Sequence, residues 1–298
     1  MAIKLAYLGV VLVWTTTPLA IKWSSEGISF VMGVTARMSI GAACLLLLLL
    51  ITRQAIRFSR PACWTYLAVS VQLYLSMIIT YWAAQFIPSG WMSVIFGLSP
   101  FMTAFMAAAI LKERSLGWLK LVAYSLGVAG LVVMFMSAMA LSEQALIGVA
   151  AMLLSTFIHA LSAIWVKRID AQLPAIQQIS GGMLLSLPLY WASWYWLDGE
   201  IPEQIPQQTL WAIVYLGLIA TTFGFALYYY VLKHLPATQV AMINLMTPVL
   251  SLWLGYTANQ EPVSLKVIIG TGLIMSALLI HQWAERRDKR TLSPLETS

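Results

Sequence analysis

The sequence predicts an all-α integral membrane protein with ten transmembrane helices, arranged as two inverted repeats of five helices each. Three observations lead to this prediction: the composition, the spacing of the apolar segments and a pattern that occurs twice. Of the 298 residues, 60% are hydrophobic and 9% are charged, against about 45–50% and about 25% in soluble domains. A chain of this composition is expected to bury most of its apolar surface in lipid.

Ten apolar segments have about the length needed to cross a bilayer. A membrane-spanning helix needs about 20 residues, and it satisfies its backbone hydrogen bonds internally, as lipid requires. Lys4 lies at the start of the first segment, before its apolar stretch, but that stretch continues to Lys22 without a small-residue cleavage site, so we expect a retained helix rather than a signal peptide. The predicted spans are 3–23, 31–52, 63–84, 89–111, 117–137, 145–166, 175–196, 209–232, 237–257 and 263–283.

The two halves of the chain share a pattern of residues. Three residues of the first half return after the same interval of 148 positions: Pro88, Pro100 and Glu113 match Pro236, Pro248 and Glu261. A repeat of five helices starts its second copy from the opposite side of the membrane, so the copies are inverted. We therefore predict repeats at 3–137 and 145–283, followed by a cytoplasmic tail at 284–298.

The lysine and arginine residues predict the orientation. With the N-terminus inside, only Lys22 and Lys266 fall on outer segments, and Arg37 lies within a span. The positive-inside rule then places both termini in the cytoplasm, and we expect the membrane to be a plasma membrane of the bacterial inner-membrane type. The residues on inner segments are Lys4, Arg53, Arg57, Arg60, Lys112, Arg114, Lys120, Lys167, Arg168, Lys233, Arg286, Arg287, Lys289 and Arg290.

This distribution explains the net charge of +6. Basic loops beside anionic lipid headgroups need no nucleic-acid partner. The expected partners are the lipid bilayer and a small-molecule substrate, with no nucleic acid, no metal and no cofactor, in a monomer or a homodimer. Cys44 and Cys63 are predicted to be packing residues rather than a disulfide or metal ligands.

Several motifs in a fixed order resemble a known family across essentially the whole chain. They include Trp14 to Lys22 (WTTTPLAIK), Arg37, Ala83 to Pro88, Leu111 to Gly117 (LKERSLG), Tyr215 to Pro236, Thr247-Pro248, Glu261 and Gly270 to Ser276. By these motifs the chain resembles the EamA family of the drug/metabolite transporter superfamily. The resemblance implies the ten-helix fold of two inverted repeats and secondary transport of small metabolites, often export.

Charged residues within the spans are the first candidates for function. The interior of the predicted spans contains no Asp or Glu, whereas many ion-coupled carriers place a carboxylate at membrane depth. Arg37 lies about six residues, or roughly 9 Å, inside the outer end of the second span. It is predicted either to be a counter-charge for an anionic or zwitterionic substrate or to clamp carbonyl groups of neighbouring helices.

His159 is the second candidate, in the middle of the sixth predicted span. Helical spacing places Ser155, His159 and Ser162 on one face. The histidine is interpreted either as a substrate or proton-coupling group or as a neutral side chain that joins two helices. Without a span carboxylate, the chain is expected to be a facilitator or an exchanger, or to couple to protons through His159.

Prolines inside spans predict bends. A proline removes a backbone N–H and bends its helix, which frees a carbonyl one turn earlier. Pro18, Pro100 and Pro248 are the predicted bend or gating positions, and the 148-residue interval relates the last two. Static packing is the alternative for these positions.

Aromatic, amide and hydroxyl side chains at mid-span complete the predicted substrate site. A cavity with few charges suits a small polar or amphipathic solute of an amino-acid-like kind. By contrast, Lys22 is predicted to be an anchor at the outer end of its helix, and Glu113 and Glu261 are predicted to cap helix N-termini on opposite sides of the membrane. The full set of candidate substrate residues is Trp14, Thr17, Arg37, Gln72, Tyr74, Tyr81, Trp82, His159, Ser162, Trp165, Gln178, Tyr228, Tyr229 and Asn244.

Two other classes of protein are alternatives to a transporter. An intramembrane hydrolase would need a carboxylate to orient a pair such as His159 and Ser162, and no span provides one, so we predict that the chain is not an enzyme. A membrane scaffold or assembly factor is the other alternative. The repeated halves and the polar groups at membrane depth favour a transport pathway over a scaffold.

Overall fold

Every regular element of the described residues is helical. The computed structural model describes residues 2–111, 117–235 and 237–292, without the side chains at 225, 226, 229, 232, 233, 237, 238, 241 and 288–292. No strand occurs in these ranges, and the predicted all-α class is confirmed. The elements are α1 Ala2–Trp23, α2 Phe30–Ile51, α3 Arg60–Ser70, π1 Val71–Ser76, α4 Met77–Ala83, α5 Ser89–Phe96, α6 Ser99–Ile110, α7 Trp118–Leu141, α8 Glu143–Ile169, α9 Ala175–Leu197, α10 Gln207–Val214, π2 Tyr215–Phe223, α11 Gly224–His234, α12 Ala237–Asn259 and α13 Leu265–Leu292.

Seven helical stretches of the described residues are long and apolar enough to cross a membrane. The other three predicted spans, 175–196, 209–232 and 237–257, are also helical, within α9, the 207–234 stretch and α12, but they are not among the seven. The seven stretches are Ala2–Trp23, Phe30–Ile51, Arg60–Ala83, Ser89–Ile110, Trp118–Leu141, Glu143–Ile169 and Leu265–Arg287.

Two of the long helical stretches contain a π-helical segment. π1 joins α3 to α4 without a break, and π2 joins α10 to α11. Moving π1 forward by the sequence interval of 148 places it on residues 219–224, which overlaps π2. The two halves therefore share an irregularity of the backbone as well as a residue pattern. Such segments are rare and frequently occur at functional sites.

The predicted pair of proline bends is not symmetric in the structure. Pro100 stands in the first turn of α6, directly after Gly97 and Leu98 separate that helix from α5. Pro248 lies inside α12, which continues unbroken from Ala237 to Asn259. Pro18 likewise lies inside the continuous α1. Of the three predicted positions, only Pro100 coincides with an interruption of its helix.

The helices of the two halves interleave. α1 packs against α11 and α12, α2 against α9 and π2, and α4 against α8. α5 packs against α12, and α6 against α8. One hydrophobic core of buried residues includes side chains of both halves, among them Met38, Trp91, Met183 and Leu216. The centre of the bundle is therefore an interface between halves.

The long helices α7 and α13 pack closely against each other through glycine residues. A Cβ atom added at Gly130 would lie 2.8 Å from the carbonyl oxygen of Gly270 and 2.7 Å from Ile274 Cγ1. A Cβ atom at Gly270 would in turn lie 3.1 Å from the Gly130 carbonyl oxygen. Glycine allows the two backbones to touch, as small residues do in membrane helix pairs.

Serine side chains fix where several helices begin. Ser29 Oγ accepts a hydrogen bond from the backbone N–H of Met32 at 3.1 Å, at the start of α2. Ser142 does the same for Ala145 at 3.0 Å, at the start of α8. These caps satisfy donors that a helix N-terminus leaves unpaired. At the other end of the chain, α13 continues to Leu292, so the described part of the predicted tail is helical.

Candidate functional site

Arg37 is buried in the interior of the bundle, on α2. Its side chain is 5% exposed, and its Cζ atom lies 6.0 Å from the centre of the Tyr81 ring. Its Nη1 atom donates to Met77 Sδ at 3.8 Å, whereas Nε has no hydrogen-bond partner in the described residues. A guanidinium carries five N–H donors. Described protein groups therefore use little of its hydrogen-bonding capacity.

Neither a carboxylate nor a backbone carbonyl neutralises or holds this charge within the described ranges. No Asp or Glu oxygen of the described residues lies within 4.0 Å of its guanidinium, whereas Lys22 pairs with Glu261, and no hydrogen bond from Arg37 to a described residue ends on a carbonyl oxygen. The predicted clamp on neighbouring helix carbonyls has no contact to support it. The predicted role as a counter-charge is compatible with this geometry.

Tyrosines from both halves surround Arg37. Tyr81 is fully buried beneath the guanidinium, and Tyr190 and Tyr215 lie close enough to interact with its charge electrostatically. The Tyr190 hydroxyl donates to the carbonyl oxygen of Leu73, at a backbone position within π1. Arg37 thus lies where α2, α4, α9 and π2 meet.

Tyr74 extends this aromatic environment. Its ring meets the Tyr190 ring edge-on, with centres 5.1 Å apart, and its hydroxyl forms a 2.6 Å hydrogen bond with Ser193 Oγ. Tyr74 is half-buried, as are Met77 and Tyr215. Fully buried and half-buried tyrosine rings are therefore both present in this part of the bundle.

A second aromatic pair joins the halves through α1. The Trp14 and Tyr228 rings lie 4.9 Å apart and are tilted by 34°. Two residues further along α1, Thr16 Oγ1 and the Tyr215 hydroxyl share a hydrogen bond of 2.5 Å. The second contact joins α1 to Tyr215 of π2. The predicted residues Trp14, Tyr228, Tyr74 and Tyr81 are thus brought near the interface between halves.

His159 occupies a different environment from the serines beside it. Ser155 Oγ bonds to Ser76 and Thr80, and Ser162 Oγ donates to the Ala68 carbonyl oxygen at 2.7 Å. Both serines are fully buried between helices. The half-buried His159 ring instead packs edge-on against Phe96, with centres 4.8 Å apart.

The structure spreads the other predicted residues over the bundle. Trp82 is exposed and packs on Phe86, and Trp165 lies 6.4 Å from Trp64. Neither shares the environment of Arg37. The remaining predicted residues are the following: Gln178 donates to the Leu173 carbonyl oxygen, Thr17 donates to the Val13 carbonyl oxygen, Gln72 accepts from Ser162, Asn244 is half-buried in α12, and the Tyr229 side chain lies outside the described residues.

A polar network at one end of the bundle also joins the two halves. Glu261 Oε2 accepts from the Ser89 backbone N–H at 2.8 Å, from the Ser89 hydroxyl at 2.9 Å and from the Gly90 N–H at 3.4 Å. Its Oε1 accepts from Asn259 Nδ2 at 3.0 Å and lies 3.7 Å from Lys22 Nζ. Lys22 Nζ also donates to the carbonyl oxygen of Ile87. We call these residues the Glu261 network.

This network differs from the predictions for Lys22 and Glu261. Lys22 was expected to extend to the membrane surface as an anchor, but its ammonium group binds protein groups of both halves, because a buried carboxylate lies within its reach. Glu261 does cap a helix N-terminus, but the helix is α5 rather than α13, whose first turn is bonded by Ser264. Glu113 lies outside the described residues.

Sequence reasoning did not include Tyr190 and Tyr215 among the site residues. Tyr190 lies two positions after Pro188, six residues inside the end of its predicted span, and neither the repeated pattern nor a family motif includes it. Tyr215 begins one of the quoted family motifs, which was the signal available. A third buried group, His281, packs between Phe101 and Tyr124, and its Nε2 has no hydrogen-bond partner in the described residues.

Comparison with known proteins gives the same pattern of two halves. The sequence model of the EamA-like transporter family matches residues 1–136 and matches again at residues 146–281. The chain belongs to the EamA-like transporter family. The resemblance stated from the sequence motifs is therefore confirmed, and with it an integral membrane protein of a transporter family.

Relatives of this EamA-family protein are named as transporters. An uncharacterized transporter, YoaV, of Bacillus subtilis (strain 168) is 23% identical over 290 residues, which cover 96% of this chain and 99% of the relative. An uncharacterized transporter of Archaeoglobus fulgidus is 28% identical over 204 residues, 65% of this chain and 68% of the relative. An S-adenosylmethionine/S-adenosylhomocysteine transporter of Chlamydia trachomatis is 25% identical over 295 residues, 95% of this chain and 90% of the relative.

A solved crystal structure is similar to this chain along nearly its whole length. The two superpose with a TM-score of 0.65 at 20% sequence identity, covering 96% of this chain and 98% of the other. At this identity the similarity concerns the fold alone.

Proposed function

We propose that this EamA-family protein is a secondary transporter. It moves a small polar or amphipathic solute of an amino-acid-like kind across the bacterial inner membrane, in the direction of export. Ten spans form two five-helix inverted repeats, 3–137 and 145–283, and both termini are cytoplasmic. Transport proceeds by alternating access between the repeats.

The observation that carries this proposal is the polar and aromatic interface between the halves. Arg37 lies over the Tyr81 ring of the same half, and its helix α2 packs against α9 and π2 of the second half, which carry Tyr190 and Tyr215. The Glu261 network holds the halves together at one end. In the proposed cycle, this end is closed in the structure and opens when the network breaks. A scaffold has no need of a charge at this depth, which is costly to place in a membrane.

The arrangement of the chain supports two inverted repeats. The family model matches each half separately, and the π-helical segments of the halves overlap after a shift of 148 positions. The excess of basic residues on the predicted inner segments supports cytoplasmic termini. The relative from Chlamydia trachomatis is named for two amino-acid-derived solutes, which supports the proposed solute class.

Reconstitution of the purified chain into liposomes tests this function. A panel of amino acids and related metabolites is loaded inside, and counterflow of each labelled solute is measured with and without a pH gradient. Counterflow that is independent of the gradient supports a facilitator or an exchanger. Dependence on the gradient supports coupling to protons, for which His159 is the candidate. Absence of counterflow for every solute, with the protein folded and inserted, argues for a scaffold.

Substitution at mid-span separates a transporter from a scaffold. His159→Ala and Asn244→Ala are expected to reduce flux strongly while expression and monodispersity stay at wild-type levels. A scaffold would tolerate both changes. Lys266→Met, at an exposed position near the start of α13, is the control and is expected to leave flux unchanged.

A further inference from the structure

We infer that the Arg37 site binds the carboxylate group of a small organic monoanion or zwitterion. This inference rests on the proposed transport function and specifies the chemical class of its solute. Arg37 is only 5% exposed, and its one hydrogen bond to a described residue ends on a thioether sulfur.

The cost of burial makes the lack of a partner informative. Moving a charged group out of water costs several kcal/mol unless another group compensates it. Within the described ranges no carboxylate lies within 4.0 Å of Arg37, and Nε has no acceptor. A carboxylate can accept two parallel N–H bonds from one guanidinium, which is the strongest pairing available to this side chain.

The charge of the site favours a carboxylate over a phosphate. Arg37 contributes one positive charge, and Lys22, which also joins the two halves, is already paired with Glu261 at 3.7 Å. A carboxylate carries one negative charge, whereas a phosphate group carries between about 1.5 and 2 at neutral pH. One guanidinium therefore neutralises a carboxylate fully and a phosphate only in part.

The surrounding rings favour an organic anion over an inorganic one. Tyr81 and Tyr190 are fully buried, while Tyr74 and Tyr215 are half-buried and leave ring surface for contact. Aromatic faces of this kind bind the apolar part of a solute by stacking and by burial of its surface. A small inorganic anion would gain nothing from them.

Direct binding to the full-length protein in lipid nanodiscs tests the inference. The probes are three monocarboxylates, 3-phenylpropanoate, indole-3-acetate and hexanoate, each paired with its neutral amide. At least one carboxylate is expected to bind wild-type protein and raise its melting temperature, and to bind at least about tenfold more tightly than the matching amide, because a charge-assisted hydrogen bond is lost. Equal binding of each acid and amide, or no binding of any acid, overturns the inference.

Arg37→Met removes the charge but keeps an apolar side chain of similar length. Since Arg37 has no anionic partner in the described protein, the variant without ligand should melt at the wild-type temperature or above it, and carboxylate binding should fall at least about tenfold. Lys266→Met makes the same change of charge at an exposed position and should bind as wild type does. A lower melting temperature for Arg37→Met together with unchanged carboxylate binding would assign Arg37 a structural role.

Flux measurements distinguish failure of this inference from failure of the proposed function. If liposomes transport solutes without a carboxylate, and Arg37→Met transports them as fast as wild type, the protein is a transporter and the carboxylate inference is wrong. If wild-type protein transports no solute of any class, the proposed function itself fails. If Arg37→Met loses carboxylate flux while Lys266→Met transports as wild type does, the result supports both the transport function and the carboxylate inference.

Discussion

The carboxylate of Glu261 caps the helix that begins at Ser89, which lies in the other half of the chain. Its Oε2 accepts from both the backbone N–H and the hydroxyl of Ser89, at 2.8 and 2.9 Å, and the side chain is 6% exposed. A buried anion at a helix N-terminus is stabilised by the helix dipole and by unpaired N–H groups. The contact therefore joins the two halves of the chain at this end of the bundle.

Glu261→Gln is expected to destabilise the protein by about 2 kcal/mol, because charge-assisted hydrogen bonds become neutral ones and a new NH₂ group faces donors of Asn259 and Lys22. The measurement is the melting temperature in detergent micelles, followed by tryptophan fluorescence. Lys22→Met is the comparison. It should cost less than half as much, since Lys22 is partly exposed at 28% and the Ser89 contacts persist.

The Glu261→Gln variant also reports on access to this end of the bundle. If the Glu261 network holds this end shut, Glu261→Gln should increase the reaction of a cysteine placed at Ser24, which is fully buried in the wild-type fold, with a water-soluble thiol reagent. The measurement is the rate of modification in a background with Cys44 and Cys63 replaced. If Glu261→Gln clearly lowers the melting temperature but does not change the rate of cysteine modification, the Glu261 network stabilises the fold without controlling access.

Gly130→Ala tests the backbone contact between α7 and α13. The new methyl group would lie 2.8 Å from the Gly270 carbonyl oxygen and 2.7 Å from Ile274 Cγ1, so the helices must separate, at a cost of about 1–3 kcal/mol. The matched control is Gly272→Ala, on α13 itself, where nothing lies within 4 Å of the added atom. The control should be neutral or stabilise by up to about 1 kcal/mol, because alanine favours a helix. Equal melting temperatures for the two variants would contradict the contact.

Ser155→Ala tests the hydroxyl cluster that joins α8 to π1 and α4. Ser155 Oγ lies 2.7 Å from both the Ser76 carbonyl oxygen and Thr80 Oγ1 and is fully buried. Its loss should cost about 1 kcal/mol, since hydrogen bonds between membrane helices average somewhat below that value and this one has several partners. Ser125→Ala is the control, because that exposed hydroxyl bonds within its own helix. If both variants change the melting temperature equally, the change would come from replacing a serine in a helix and not from losing the hydrogen bonds of the hydroxyl cluster.

The sequence was sufficient for the fold class because hydropathy and length decide it. Each predicted span coincides with helical residues, and seven helical stretches meet the criteria for a membrane span. The backbone irregularities were not predictable in the same way. π1 and π2 have ordinary apolar sequences, and an extra residue per turn depends on packing against α8 and α2 rather than on local propensity.

The sequence indicated the charged residue of the site, Arg37, but not all of the aromatic residues near it. Arg37 is conspicuous because a charge within a span is rare. Which tyrosines surround it depends on how α9 and π2 pack against α2, which sequence spacing alone does not give. The contact between Lys22 and Glu261 could not be predicted from the sequence either. Each residue lies near a helix end, where a membrane anchor and a local helix cap are reasonable expectations. Only the fold shows that the Lys22 ammonium and the Glu261 carboxylate lie 3.7 Å apart.

Single-cysteine labelling tests the predicted topology. In a background without Cys44 and Cys63, a cysteine is placed at Phe58, which is 83% exposed in the segment between α2 and α3, or at Glu200, which is exposed between α9 and α10. The distribution of basic residues places the first in the cytoplasm and the second outside. A membrane-impermeant maleimide should therefore label Phe58→Cys in inside-out vesicles alone and Glu200→Cys in right-side-out vesicles alone. Labelling of both variants from the same side would contradict the odd number of spans predicted between these positions. Labelling of each variant from the side opposite to the expected one would invert the proposed orientation, and would place the Glu261 network at the cytoplasmic end.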